Sequence, residues 1–140
     1  MKTNPDTGEL TLESGFVLSP LTTRPAFLST PEGVRAKLLV KNERWSSFRF
    51  EEIEETIACT VLFKSDYLES IHLSMADPKF GNRWKEWSEE KELKRKNAND
   101  QWLIGKGLVP GKKYNWGSVT SGYDQKAGSS IILIRYQNDR

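Results

Sequence analysis

The sequence predicts an α+β domain: an antiparallel sheet of about six to eight strands with one principal helix packed on one face. Three observations carry this. Apolar residues alternate with polar ones through most of the chain, as in IACTVLF and SIILIRY. Turn residues separate those runs at short intervals. One segment alone, from Asp77 to Gly107, is long, charged and helix-patterned, and it holds three of the five tryptophans. A chain of 140 residues fits one hydrophobic core, so residues 1–140 are read as a single domain.

Taken in order, residues 1–8 are polar with a proline and a glycine, which suggests a loose terminus. Glu9 to Glu13 alternates as a half-buried strand, Gly15 ends it, and Phe16 to Leu18 can form a second. Ser19 to Thr23 offers helix-starting chemistry ahead of Ala26 and Phe27, while Pro31 and Gly33 keep any helix there short. Strand patterns follow in AKLLV, beyond a turn at KNER in WSSFRF, and in Thr56 to Phe63, where Ile57, Cys59, Val61 and Phe63 share a face. A turn at Lys64 to Tyr67 leads into Leu68 to Met75, whose Ile71, Leu73 and Met75 alternate with Ser70, His72 and Ser74. That pair predicts a hairpin with one wet face.

Asp77-Pro78 opens a helical turn, because an aspartate accepts from orphan amides and proline at the first helical position loses nothing. Gly81 stops it. The main helix restarts near Asn82 or at Ser88, with Glu89 and Glu90 at the positive end of its dipole. Glu90 to Lys94 and Glu92 to Lys96 have ion-pair spacing. Gly105 or Gly107 is the natural stop. Val109-Pro110-Gly111 turns the chain into YNWGSVTSGY and SIILIRY, the last two strands, joined by the loop Asp124 to Gly128.

Bulk properties exclude more than they select. Apolar content of 36% with clear apolar runs argues for a globular chain, and a net charge of +2 chooses no partner. MKTNPDTGEL has no apolar signal core, and no stretch approaches the ~18 apolar residues of a membrane span, so the expected location is cytoplasmic. Cys59, the single cysteine, is expected to be a buried apolar side chain. His72 is the single histidine, so any His-dependent catalysis or metal site would have to run through it; among serines on a wet face it reads as a surface residue. Glu51, Glu52, Glu54 and Glu55 could in principle supply paired carboxylates, but EEIEE reads as a solvated loop or edge. GKGLVPGKK and SGYDQKAGSS lack the GxxxxGK[ST] and GxGxxG patterns and are turns with lysines. No cofactor, no metal site and no enzyme activity is expected. Nucleic-acid binding is disfavoured because acidic residues interleave the basic ones.

Projected at about 100° per residue, the helix puts Trp84, Trp87, Lys91, Arg95, Ala98 and Trp102 on one stripe. Two uses are open to it. Tryptophan and arginine are enriched at binding hot spots; alternatively the indoles pin the helix on the sheet while the cations lie along them. Exposure of Trp84 or Trp87 beside Arg95 separates the two.

Two resemblances follow from these stretches. Leu21 to Met75, a short helical region followed by RWSSFRF and ACTVLFKSDYLESIHLSM, resembles the helix-then-hairpin half of β-lactamase-inhibitor-like and small outer-membrane lipoprotein domains. FGNRWKEWSEEKELKRKNANDQWL with YNWGSVTSGYD and IILIRY, residues 80–136, is similar to small bacterial cytosolic proteins, some of which look like immunity proteins of polymorphic toxin systems. The second resemblance implies a stoichiometric inhibitor or adaptor that acts by binding. The expected function is therefore a non-catalytic protein-binding module whose partner is another protein such as a toxin, with Glu51, Glu52 and Asp124 as acidic contacts and tryptophans as anchors. The alternative is a small-molecule site between helix and sheet near Trp84, Trp87, Arg95 and Trp116.

Overall fold

The computed structural model describes residues 1–137. Among the described residues, ten strands form two antiparallel sheets. β1 (Lys2–Thr3), β2 (Leu10–Thr11) and β3 (Val17–Leu18) make a small three-stranded sheet. β4 (Lys37–Lys41), β5 (Trp45–Glu52), β6 (Ile57–Lys64), β7 (Tyr67–Met75), β8 (Lys113–Tyr114), β9 (Gly117–Asp124) and β10 (Ser129–Tyr136) make the main sheet, in the order β4-β5-β6-β7-β10-β9-β8. The principal helix between β7 and β8 lets β10 return beside β7. No helix among the described residues is long and apolar enough to cross a membrane.

The period-two pattern sets the faces. Ile57, Cys59, Val61 and Phe63 pair across from Met75, Leu73, Ile71 and Leu68, and all eight side chains enter the core. Ile132 and Ile134 continue that layer beside Leu73 and Ile71. Two one-turn helices cover one end of it: α1 (Arg24–Leu28), capped by Thr23, and α2 (Pro31–Arg35), capped by Thr30. Pro31 begins α2 instead of ending a helix, since the first helical position needs no amide donor. Phe27 from α1 sits among Phe48, Phe50 and Phe63 with ring centroids 5.6 to 6.2 Å away.

The principal helix α3 (Glu89–Gly105) is capped by Ser88 Oγ, which accepts from the Lys91 amide at 3.1 Å. It ends where Gly107, at φ +82°, takes the left-handed conformation: the Gly107 and Leu108 amides then bond back to Ile104 and Leu103, and Leu103 and Leu108 are both buried. Glu90 and Lys94 pair at 3.3 Å as their spacing suggests. Glu92 does not pair with Lys96. It turns inward to the sheet, and Lys96 pairs with Asp100 at 2.7 Å.

The amino-terminal residues correct the expectation of a loose terminus over 1–8. Met1 and Gly8 are buried, the Met1 ammonium pairs with Glu55, and Lys106 Nζ and the Thr3 hydroxyl tie β1 to the end of α3. Tyr136 Oη donates to the Gly8 carbonyl at 2.7 Å, and Trp116 Nε1 donates to the Pro5 carbonyl at 2.8 Å. Local polarity suggests looseness, but the partners that hold this segment lie far away in the chain, Glu55 at 54 residues and Lys106, Trp116 and Tyr136 at more than a hundred.

Glu52 is a second correction. It is fully buried at the end of β5, not solvated, because it faces the core alongside Phe48 and Phe50. Its Oε1 accepts from the Glu13 amide, Arg35 stands 3.8 Å from Oε2, and Oε2 has no hydrogen bond. Burial, reinforced by nearby Glu13 and Glu32, pushes its pKa up to about 7. Glu32, equally buried, goes the other way: burial would raise it, but hydrogen bonds from the Ser14 hydroxyl and amide bring it below the usual carboxylate value.

Candidate functional site

β7 and β10 are paired from Ser70–Arg135 to Leu73–Ile132, and there the ladder stops. Beyond it the strands splay, and side chains take over the bonds the backbone no longer makes. Asn99, buried in α3, accepts from the Met75 amide at 3.0 Å and donates to the Ser130 carbonyl at 3.3 Å. Glu92 accepts from the Ser130 amide at 3.0 Å, and the Ser130 hydroxyl donates to the Glu92 carbonyl at 2.7 Å. Ser74 Oγ donates to the same Ser130 carbonyl. Buried backbone groups need partners, and this splay is closed underneath by two polar residues of α3.

Above the splay lies a cleft of about 370 Å³. Its floor is Ala58, Ser74 and Ile131; its walls are the β9–β10 turn and the loop 76–88. A second, smaller cleft lined by Thr60 and His72 adjoins it through Arg49, Ala58, Ser74 and Ile131. The smaller cleft lies on the face of the sheet opposite the core, where Arg49, Thr60, His72 and Leu133 form one cross-strand row, and the larger reaches from that face past the splay to Met75, Glu92 and Arg95. His72 is half-buried in that row; burial, with the Arg135 charge, lowers its pKa and favours the neutral imidazole.

Loop 76–88 carries the tryptophans. Asp77 caps a 3-10 turn over Pro78–Phe80, a second 3-10 turn covers Trp84–Glu86, and α3 starts only at Ser88. Trp84 and Trp87 therefore leave the helical stripe. Trp87 Nε1 donates to the Gly128 carbonyl at 2.7 Å; Gly128 (φ +64°) permits that approach, since a Cβ there would stand 3.1 Å from the indole nitrogen. Asn82 Nδ2 donates to the Ala76 carbonyl, and Lys91 Nζ donates to the Glu86 carbonyl. The Trp84 ring stacks on Trp87 with centroids 6.4 Å apart. It is 87% exposed, against 40% for Trp87.

Arg95 lines the cleft but does not lie over an indole. Its guanidinium lies 5.8 Å from the Phe80 ring and donates to the Gly81 carbonyl and Asn82 Oδ1, with Glu92 3.4 Å away. It holds the loop to the helix. Trp116 stands elsewhere, stacked on Tyr114 at 4.9 Å beside Tyr136. It precedes β9, whereas Gly128 follows that strand's far end, so Trp116 and Trp87 are separated by an eight-residue strand, about 25 Å at the strand rise. Glu51 is exposed with its carbonyl accepting from Arg35; Asp124 is exposed and caps its own turn by accepting from the Lys126 and Ala127 amides. Of the residues expected at a site, the structure brings together Trp84, Trp87 and Arg95, and leaves Trp116, Glu51, Glu52 and Asp124 outside the cleft lining.

Arg49, Arg83, Asn99 and Gly128 belong to this region and are not singled out by sequence reasoning. Asn99 leaves a trace: a poor helix former in mid-helix implies a job for its amide. Arg49 leaves none beyond its place in an alternating strand. No family model, curated protein or solved structure matches the chain. What the fold and this site define is an α+β domain with one sheet face largely closed and the other opening on an aromatic-walled cleft.

Proposed function

We propose that this protein is a non-catalytic protein-binding module whose contact surface is centred on the Trp84–Trp87 ledge and the adjoining cleft, and that its role is of the immunity-protein kind, occluding a partner such as a toxin. The observation that carries the reading is an indole left 87% exposed on a loop that is otherwise firmly held. A large apolar group presented to water on a preorganised support is what binding hot spots use, since little ordering entropy remains to be lost on association. The space between α3 and the sheet favours this over a ligand site there: Leu103, Asn99 and Glu92 fill it, and their polar groups are bonded to Met75 and Ser130. A small-molecule site remains the second reading, on the strength of the 370 Å³ cleft.

Purification of the tagged chain from its native host, wild type beside Trp84→Ala, tests the proposal. The expected result is one protein recovered in stoichiometric amount with the wild type and lost with the variant. Recovery of no protein partner by the wild type contradicts it.

A further inference from the structure

The charge of the cleft specifies the occupant more closely. Three arginines and one carboxylate line it. Arg95 and Glu92 are already committed, to loop 76–88 and to Ser130, and Glu92 is buried. Arg49 and Arg83 are exposed, and among the described residues neither guanidinium has a hydrogen-bond or ion-pair partner. They reach the cleft from different elements, Arg49 from the sheet floor and Arg83 from the loop that carries Trp84. The available charge is thus two unpaired guanidinium groups beside a stacked indole pair.

The surroundings decide which anion suits it. Glu51 on β5, Glu86 on the ledge and Glu89 at the start of α3 are all exposed, and a chain of phosphates crossing this region would meet them. Half-buried Ile131 and Leu133 alternate along the open face, which suits side chains of an extended peptide better than a uniform polyanion. We infer that the cleft seats an acidic peptide segment of the protein partner, with a carboxylate between Arg49 and Arg83 and a neighbouring apolar side chain against Trp84. Guanidinium groups suit this because their planar fork meets a carboxylate in a charge-assisted, bidentate geometry. The inference rests on the protein-binding reading and adds the chemistry of the segment bound.

Selection of random displayed peptides on the full-length chain tests it, with Arg49→Gln/Arg83→Gln and Trp84→Ala as comparison surfaces and a mixed-sequence single-stranded oligonucleotide as a parallel probe. The expected result is enrichment of peptides with aspartate or glutamate next to an apolar residue, binding the double-Gln variant about tenfold more weakly. A charge-reversed Arg49→Glu/Arg83→Glu chain should select basic peptides instead. Peptides that need Trp84 yet bind the double-Gln variant as well as the wild type overturn the acidic seat and leave the protein-binding reading intact. Selection of no peptide, or oligonucleotide binding that is lost with the two arginines, overturns the inference.

Discussion

Trp116 and Trp84 occupy opposite surroundings. Trp116 is packed between Tyr114 and Tyr136, lies against Gly8, and has its N–H bonded to the Pro5 carbonyl, so it joins the amino-terminal segment to the last strands. Trp102 does similar work at the end of α3, where its N–H donates to Glu55 at 2.8 Å and Lys106 covers its ring. Trp84 touches the fold mainly through Trp87, and its ring faces water. The difference teaches that tryptophan content by itself points to no function; what matters is whether the indole has a structural partner.

Three perturbations set the sides apart, the largest first. Trp116→Ala removes a stacked, half-buried ring and a partly buried hydrogen bond, and should cost about 3 kcal/mol in urea unfolding. Asn99→Ala orphans the Met75 amide at the splay and should cost about 2 kcal/mol; loss of amide-exchange protection at Met75 and Ser130 would localise the damage. Glu52 gives the third effect, which depends on pH. Because its folded pKa is raised from 4.5 to about 7, its contribution is fully present below 4.5 and fades as pH rises through about 7. Glu32 and Glu55 have lowered values, so their contributions are present above 4.5 and fade as pH falls through their folded values. The Glu52 contribution to wild-type stability should therefore decline between pH about 4.5 and about 7, and Glu52→Gln should abolish that decline; an unchanged decline would show that Glu52 is not its source.

Much of this architecture is legible in the sequence because it is written locally. Alternation placed Ile57 to Phe63 and Ile71 to Met75 on the buried face, Asp77 and Ser88 mark helix starts through their own side chains, and Gly107 marks a stop through its positive φ. The candidate site is only partly local. Trp84 and Trp87 are conspicuous in the sequence, but their exposure follows from α3 beginning at Ser88, which the helical projection leaves open. The burial of Glu52 and the anchoring of residues 1–8 depend on contacts with segments far away in the chain, Glu13 and Arg35 in one case, Trp116 and Tyr136 in the other. That Arg49 and Arg83 line one cleft depends on where β7 and β10 cease to pair, and periodicity does not encode that point.

A binding role for the Trp84–Trp87 ledge requires that Trp84 have no structural duty. Urea unfolding of Trp84→Ala, run beside Trp116→Ala, tests this most directly. The predicted result is a stability within about 0.5 kcal/mol of the wild type, as for a surface substitution away from any packed feature. A loss comparable to that of Trp116→Ala would make the ledge part of the core and contradict its assignment as a binding surface.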